Sequence, residues 1–263
     1  MGKQIIAILF LVGFVNVHAQ KKPIKNPGLD FTYFVQGEGG ANGLTVVYNP
    51  DNGYYYCIQA GNEGFPLEVF TSSGENIYAT TAKKDVRGFW YNPKLKCFEG
   101  TIYMCGRFKM YMDANGYPTN PDTTTSSMNF MAPNDQSLVI CNPAKGEMYS
   151  YDNKYIHIYN QKTNKFKKKI ALKKCPVPWD YVNPYGLFYT GHPNYEFGMY
   201  DIVNYQILFF NTKGIYTESI QMPFTAPAIE WFRIGFANDR VFLYDGDKRA
   251  WYGYKIFGEA SGN

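Results

Sequence analysis

Histidine is scarce in this chain, with three among 263 residues against 24 tyrosines and 20 phenylalanines. Only two lie beyond the N-terminal leader. His157 sits inside an apolar run and His192 sits in a turn. No Ser-centred nucleophile elbow, clustered metal ligands or phosphate-cradling glycine loop appears. These absences weigh against hydrolases of known motif, and no catalytic residue, metal site or cofactor is expected. An enzyme that works with carboxylates alone would leave none of those traces. Cysteine is sparse and odd in number, at positions 57, 97, 105, 141 and 175. The spacings match no disulfide framework or zinc pattern. Cys57 and Cys141 stand within apolar runs, which points to free buried thiols, with a Cys97–Cys105 bridge as the alternative. Charge is also low, 18% of residues with a net +4. That balance implies no acidic or nucleic-acid partner.

Long apolar runs are missing beyond the leader. Lys3, the apolar stretch Ile5–Val15 and Val17-His18-Ala19 before Gln20 read as a secretory signal over residues 1–19. The expected location is therefore the periplasm, the cell surface or the medium. Gln20 rather than Cys after the cut argues against a lipid anchor. No later segment reaches the length that crosses a bilayer as a helix, so no membrane-spanning segment is expected.

What the chain does have is a repeat. Asn49-Pro50, Asn92-Pro93, Asn142-Pro143 and His192-Pro193 recur, and Asn238-Asp239 takes the same place in a fifth unit, at spacings of 43, 50, 50 and 46 residues. An apolar run precedes each: Leu44–Tyr48, Phe89–Tyr91, Leu138–Cys141, Leu187–Tyr189 and Ile234–Ala237. A period of roughly 40–50 residues suits the four-stranded blades of a β-propeller. The expected fold is all-β, one propeller domain over 20–263, with five blades favoured and six as the competing count.

Strands follow from β-branched and aromatic runs separated by turn residues. Blade 1 reads as 43–48, 54–59, 66–71 and 75–79. Blade 3 reads as 137–141, 147–151, 155–160 and 165–172, and blade 4 as 186–190, 195–200, 205–211 and 214–222. Blade 2 begins soundly at 88–91, but 97–112 divides poorly. Pro118–Asn134, rich in Thr, Ser, Asn and Pro, reads as an inserted surface loop. Blade 5 supplies only 233–237, 240–244 and 250–257. The missing strand is expected from Phe31–Gln36, which would close the ring and remove an exposed edge.

Tyr48-Asn-Pro-Asp-Asn-Gly53 with Tyr54–Ile58, and Tyr151-Asp-Asn-Lys-Tyr-Ile-His-Ile-Tyr159, resemble the turns and strands of NHL-type propeller repeats. This chain departs from that pattern with Asn in place of the usual Asp before Pro, and it lacks the family's arginine. The resemblance implies a fold and carries little about activity.

In such a fold the B–C turns and D–A loops share one face, and the Asn-Pro turns lie on the other. Asn initiates turns and Pro fixes φ, so the Asn-Pro signature has a structural reading. Tyr151-Asp152, Tyr200-Asp201 and Tyr244-Asp245 open three B–C turns. These aspartates either crowd one face as a cation or acid–base site, or accept hydrogen bonds from their own turns. The D–A loops 175–185 and 222–232 break the repeat. Their Trp179, Asp180, Tyr181, Tyr185, Glu230 and Trp231 offer aromatic surface and carboxylates for a glycan or a protein, or else plug the loops onto the ring. Lys165, Lys167, Lys168, Lys169, Lys173 and Lys174 lie on or beside an outer strand, where lysine discourages edge pairing, and a polyanion site is the sharper alternative. Together these features favour a non-catalytic binding or scaffolding propeller for an envelope or extracellular protein or a glycan. The competing class is a carboxylate-based glycan hydrolase or lyase, which would need two of the carboxylates above to converge on a pocket.

Overall fold

The computed structural model describes residues 21–36, 42–104, 106–122, 130–229 and 231–258. The expected signal segment 1–19, Gln20, Cys105, Glu230 and residues 123–129 of the expected inserted loop lie outside them.

Two short N-terminal strands come first, β1 (Lys22–Pro23) and β2 (Leu29–Phe34). Blade 1 holds β3 (Asn42–Asn49), β4 (Tyr54–Ala60), β5 (Pro66–Phe70) and β6 (Asn76–Thr81). Blade 2 holds β7 (Val86–Asn92), β8 (Cys97–Ile102), β9 (Arg107–Met112) and β10 (Pro118–Asp122). Blade 3 holds β11 (Val139–Asn142), β12 (Glu147–Asp152), β13 (Tyr155–Asn160) and β14 (Phe166–Ala171). Blade 4 holds β15 (Val182–Tyr189), β16 (Phe197–Asp201), β17 (Gln206–Phe210) and β18 (Tyr216–Gln221). Blade 5 runs β19 (Ile234–Ala237), β20 (Arg240–Asp245), β21 (Ala250–Lys255) and then β2, all antiparallel. A final strand, β22 (Phe257–Gly258), pairs with β1. The protein is a five-bladed β-propeller.

The closing strand is where the sequence placed it. Phe34 pairs with Ala250 and Leu29 with Tyr254. Tyr33 carries the packing at this seam. It is fully buried between blades 5 and 1, stacked on Phe70 (4.8 Å) and Phe242 (5.8 Å) and tilted against Tyr55 (5.6 Å).

Burial falls from the axis outward, because inner strands are covered on both faces and outer ones on one or neither. Every residue of β7 is buried, whereas Phe166–Lys169 of β14 are all exposed. The five inner strands β3, β7, β11, β15 and β19 touch in a ring. Glycine permits their close approach. A Cβ on Gly88 would lie 2.4 Å from the Val139 carbonyl oxygen, and one on Gly235 would lie 2.7 Å from the Val46 nitrogen.

Blade 2 corrects one expectation. Pro118–Asn134 is not wholly an inserted loop, since its first five residues form β10, the outermost strand of the blade. Pro118 and Pro121 lack the N–H a central strand would need, but an edge strand donates on one side only. The pairing shifts register between the two prolines. The difficult stretch 97–112 divides at a turn containing Met104 and Gly106, both at positive φ (64° and 104°).

Cys57, Cys97, Cys141 and Cys175 are free thiols. Burial, and secondarily Glu99, raises Cys97 to about 11 and pushes Cys141 well above its ordinary value. Both stay protonated and unreactive at neutral pH.

Candidate functional site

The loop between β14 and β15 ends in one 3-10 turn, Trp179–Tyr181. Asn183 follows and is fully buried. Its side chain accepts from the backbone N–H of Tyr185 (2.9 Å) and Gly186 (3.1 Å) and donates to the Trp231 carbonyl (2.7 Å). One amide therefore ties the two repeat-breaking loops together, using three of its four hydrogen-bonding positions.

Trp231 and Phe232 part company at this tether. Phe232 is 3% exposed and turns inward, packing with Leu44 and Val86 of two inner strands and Leu138 just before a third. The Arg87 guanidinium lies 5.1 Å from its ring centroid. Phe232 is thus anchored among the loop-face ends of the inner strands. Trp231 points the other way, 44% exposed, its ring stacked on Tyr185 at 4.9 Å and 9°. The backbone accommodates the split by holding Trp231 at φ 61° and Arg233 at φ 27°. Left-handed backbone at an aromatic residue is costly and persists only when the surroundings fix it.

The other expected residues are placed as follows. Trp179 is half-buried, stacked on Phe210 at 6.4 Å with Lys154 Nζ 5.9 Å from its ring. Asp180 and Tyr181 are exposed beside it. Glu230 lies outside the described residues.

The three turn aspartates do not gather. Asp201 is fully buried; it accepts from the N–H groups of Val203 and Asn204 (both 3.0 Å) and from the Asn204 amide (2.8 Å). Asp245 accepts from the N–H groups of Asp247 and Lys248, both at 3.0 Å. These are Asx turns, the local structure that the repetition of the dipeptide demands. Asp152 is half-buried before a turn in which Asn153 and Lys154 have φ of 44° and 69°. Among the described residues no three His, Cys, Asp or Glu side chains are grouped to hold a metal ion.

Exposed apolar side chains add something that sequence reasoning missed. Met104, Met131, Tyr181, Val203, Phe224 and Trp231 are exposed large hydrophobics, and all six lie in B–C turns or D–A loops. Phe224 is 93% exposed. Leu95 alone of the exposed large hydrophobics among the described residues stands in an A–B turn. Phe224 was visible within the 222–232 loop, but only the structure shows that it faces water.

The opposite face is stitched together by hydrogen bonds between neighbouring blades. Tyr91 donates to Asp51 (2.7 Å), Asn142 to Tyr189 (2.7 Å) and Asn238 to Tyr55 (2.8 Å). His192 Nε2 meets Asp239 Oδ1 at 2.8 Å, and Lys21 pairs with the same carboxylate. Burial alone would raise the Asp239 carboxyl, but the hydrogen bonds from His192 and Lys21 outweigh it and hold it at about 2. Asn49, Asn92 and Asn142 also accept N–H groups within their own turns, as the Asn-Pro reading requires. Inside this rim the inner strands of all five blades enclose a cavity of about 390 Å³, with Tyr48, Phe89, Tyr189 and Phe236 among its walls. It lies on the side away from the expected ligand face.

The fold and these surfaces define a five-bladed β-propeller with a cavity on the Asn-Pro side of its ring. No protein-family model and no curated protein matches the sequence. Solved structures do. The chain is similar to glutaminyl cyclase of Myxococcus xanthus, with a TM-score of 0.58 and 8% identity over 90% of this chain and 97% of that one. A second similar structure is the β-propeller domain of Cps50 (Swd1) from Myceliophteria thermophila, with a TM-score of 0.46 and 7% identity over 91% of this chain and 97% of that one. At 8% identity, the likeness to the cyclase establishes the shared fold and nothing further.

Proposed function

We propose that this chain is a non-catalytic binding propeller, exported from the cell, that docks an envelope or extracellular protein on its D–A/B–C face. One observation carries the reading: the six exposed hydrophobics concentrated on that face, with the Tyr185–Trp231 stack pinned by Asn183 among them. Met and aromatic side chains are enriched at protein interfaces, and exposed apolar patches mark them. A tethered aromatic pair has little conformational freedom left to lose on binding. Trp179, Asp180, Tyr181 and Tyr185 extend this surface, with Glu230 on the same loop as Trp231. Asp152 and Asp245 border it. Asp201 is committed to its own turn, and the surface does not draw on it. The export signal at 1–19 supports placement in the periplasm, on the cell surface or in the medium.

The hydrolase or lyase alternative requires two carboxylates converging on a pocket, and two of its five candidates, Asp201 and Asp245, accept from their own turns instead. The test is a photo-crosslinking residue at position 224 in the native cell, followed by titration of the captured protein against purified chain. Phe224→Ser/Trp231→Ser should weaken that binding at least tenfold, roughly what loss of one aromatic anchor costs. Equal binding by both chains refutes the surface. Retention on a glycan array that the double variant loses would replace the protein by a carbohydrate. Turnover of a polysaccharide would replace binding by catalysis.

A further inference from the structure

Four blade interfaces are each filled by a hydrophobic cluster of ten to sixteen buried residues. The interface between blades 2 and 3 has five among the described residues, Trp90 and Met148 included. Strand alternation explains the deficit. Phe98, Phe108 and Met110 face blade 1, which sends the intervening Glu99, Arg107 and Lys109 toward blade 3. Where the other interfaces have packing, this one has a cleft of about 530 Å³.

The floor of the cleft is polar and organised. Glu99, 4% exposed, accepts from Asn92 (2.7 Å), Gln161 (2.6 Å) and Arg107 (3.1 Å). Arg107 reaches across the interface to the Gln161 carbonyl and to Asn164 Oδ1 (2.9 Å). A buried ion pair of this kind seldom stabilises more than apolar packing of the same volume. The arrangement instead orients a guanidinium at the base of an open space. Arg107 Nε has no partner among the described residues.

The rim supplies further positive charge. Lys94 and Lys109 come from blade 2, Lys145 and Lys162 from blade 3. With Arg107 that makes five cations around the cleft and one carboxylate, Glu99, which is already engaged. The neighbouring Glu147 pairs with Lys167 on the outer strand. Lysine ammonium groups suit tetrahedral oxyanions, and a cleft of this volume admits a ligand of roughly disaccharide size. We propose that the cleft between blades 2 and 3 is a second binding site, for a small ligand carrying phosphate or sulfate groups. It is independent of the loop face and lies at the opposite end of the blades.

Lys94 and Lys145 are exposed, so Lys94→Gln/Lys145→Gln leaves the folded core intact. The test is titration calorimetry at low salt with two probes, inorganic pyrophosphate and a sulfated disaccharide. The expected result is binding of at least one probe with Kd below about 1 mM, weakened roughly tenfold or more in the double variant and by added salt. Which probe binds separates a phosphate ester from a sulfated glycan. Trp231→Ser should bind the probe unchanged, so failure here and failure of the loop-face reading remain distinguishable. Binding of neither probe, or equal loss in the distant control Lys213→Gln/Lys255→Gln, overturns the proposal.

Discussion

Tyr33 offers the sharpest test of ring closure, because two substitutions there should move stability in opposite directions. Tyr33→Ala empties the space between blades 5 and 1, removing a fully buried ring in contact with Phe31, Tyr55, Phe70 and Phe242. Truncating a buried aromatic to alanine costs about 3–5 kcal/mol. In a domain of this size each kcal/mol lowers Tm by about 2–4 °C, so the expected fall is roughly 6–20 °C. Tyr33→Phe keeps the ring and removes only a hydroxyl that is buried without a partner among the described residues. An unsatisfied buried hydroxyl costs about 1–3 kcal/mol, so this variant should match or exceed the parent. The assay is urea unfolding followed by near- and far-UV circular dichroism, with the midpoint and slope both recorded. Tyr33→Ala with an unchanged midpoint would show that β2 is not an integral strand of blade 5. Tyr33→Phe less stable by more than about 1 kcal/mol would show that the hydroxyl is satisfied, and the reasoning about it would fail.

Two further outcomes follow from the tethers. The Asp239 carboxyl lies at about 2 in the folded protein against an ordinary 3.8, so its contribution is complete above pH 4 and is lost as pH falls toward 2. The difference corresponds to about 2 kcal/mol, and Asp239→Asn should remove that much stability at neutral pH and flatten the acid limb; an unchanged limb refutes the latch. Asn183→Ala should free the 222–232 loop, costing about 1–3 kcal/mol and accelerating amide exchange there, whereas unchanged exchange would mean that Trp231 is held by something else.

The sequence made the ring legible because each blade repeats the same physical demands. The Asn-Pro turns, the apolar inner strands and the three-stranded last blade together led to β2 as the closing strand. Blade 2 was harder because β10, Pro-Thr-Asn-Pro-Asp, has no alternation to read; it is a strand only because β9 supplies its one partner. The turn aspartates were ambiguous because an Asx turn and an exposed carboxylate have the same sequence, and only burial tells them apart at Asp201. Trp231 and Phe232 are adjacent aromatics with opposite fates, decided by a backbone reversal that no pattern announces. The Glu99 network was out of reach for a different reason: Asn92 shares its blade but Gln161 comes from blade 3, and side-chain alternation does not reveal which polar side chains meet across a blade interface.

The seam between β2 and β21 also sets an order of events. Blades 1 to 4 are built from consecutive hairpins, so each is able to form as soon as its own residues are free. Blade 5 is not, because its outer strand is made first and its partner, Ala250–Lys255, is made last. Contacts this distant in sequence are the slowest to find. During synthesis, the molecule is therefore an open arc of finished units with an unattached leading segment. It becomes a ring in a single late step, once Ala250–Lys255 has emerged.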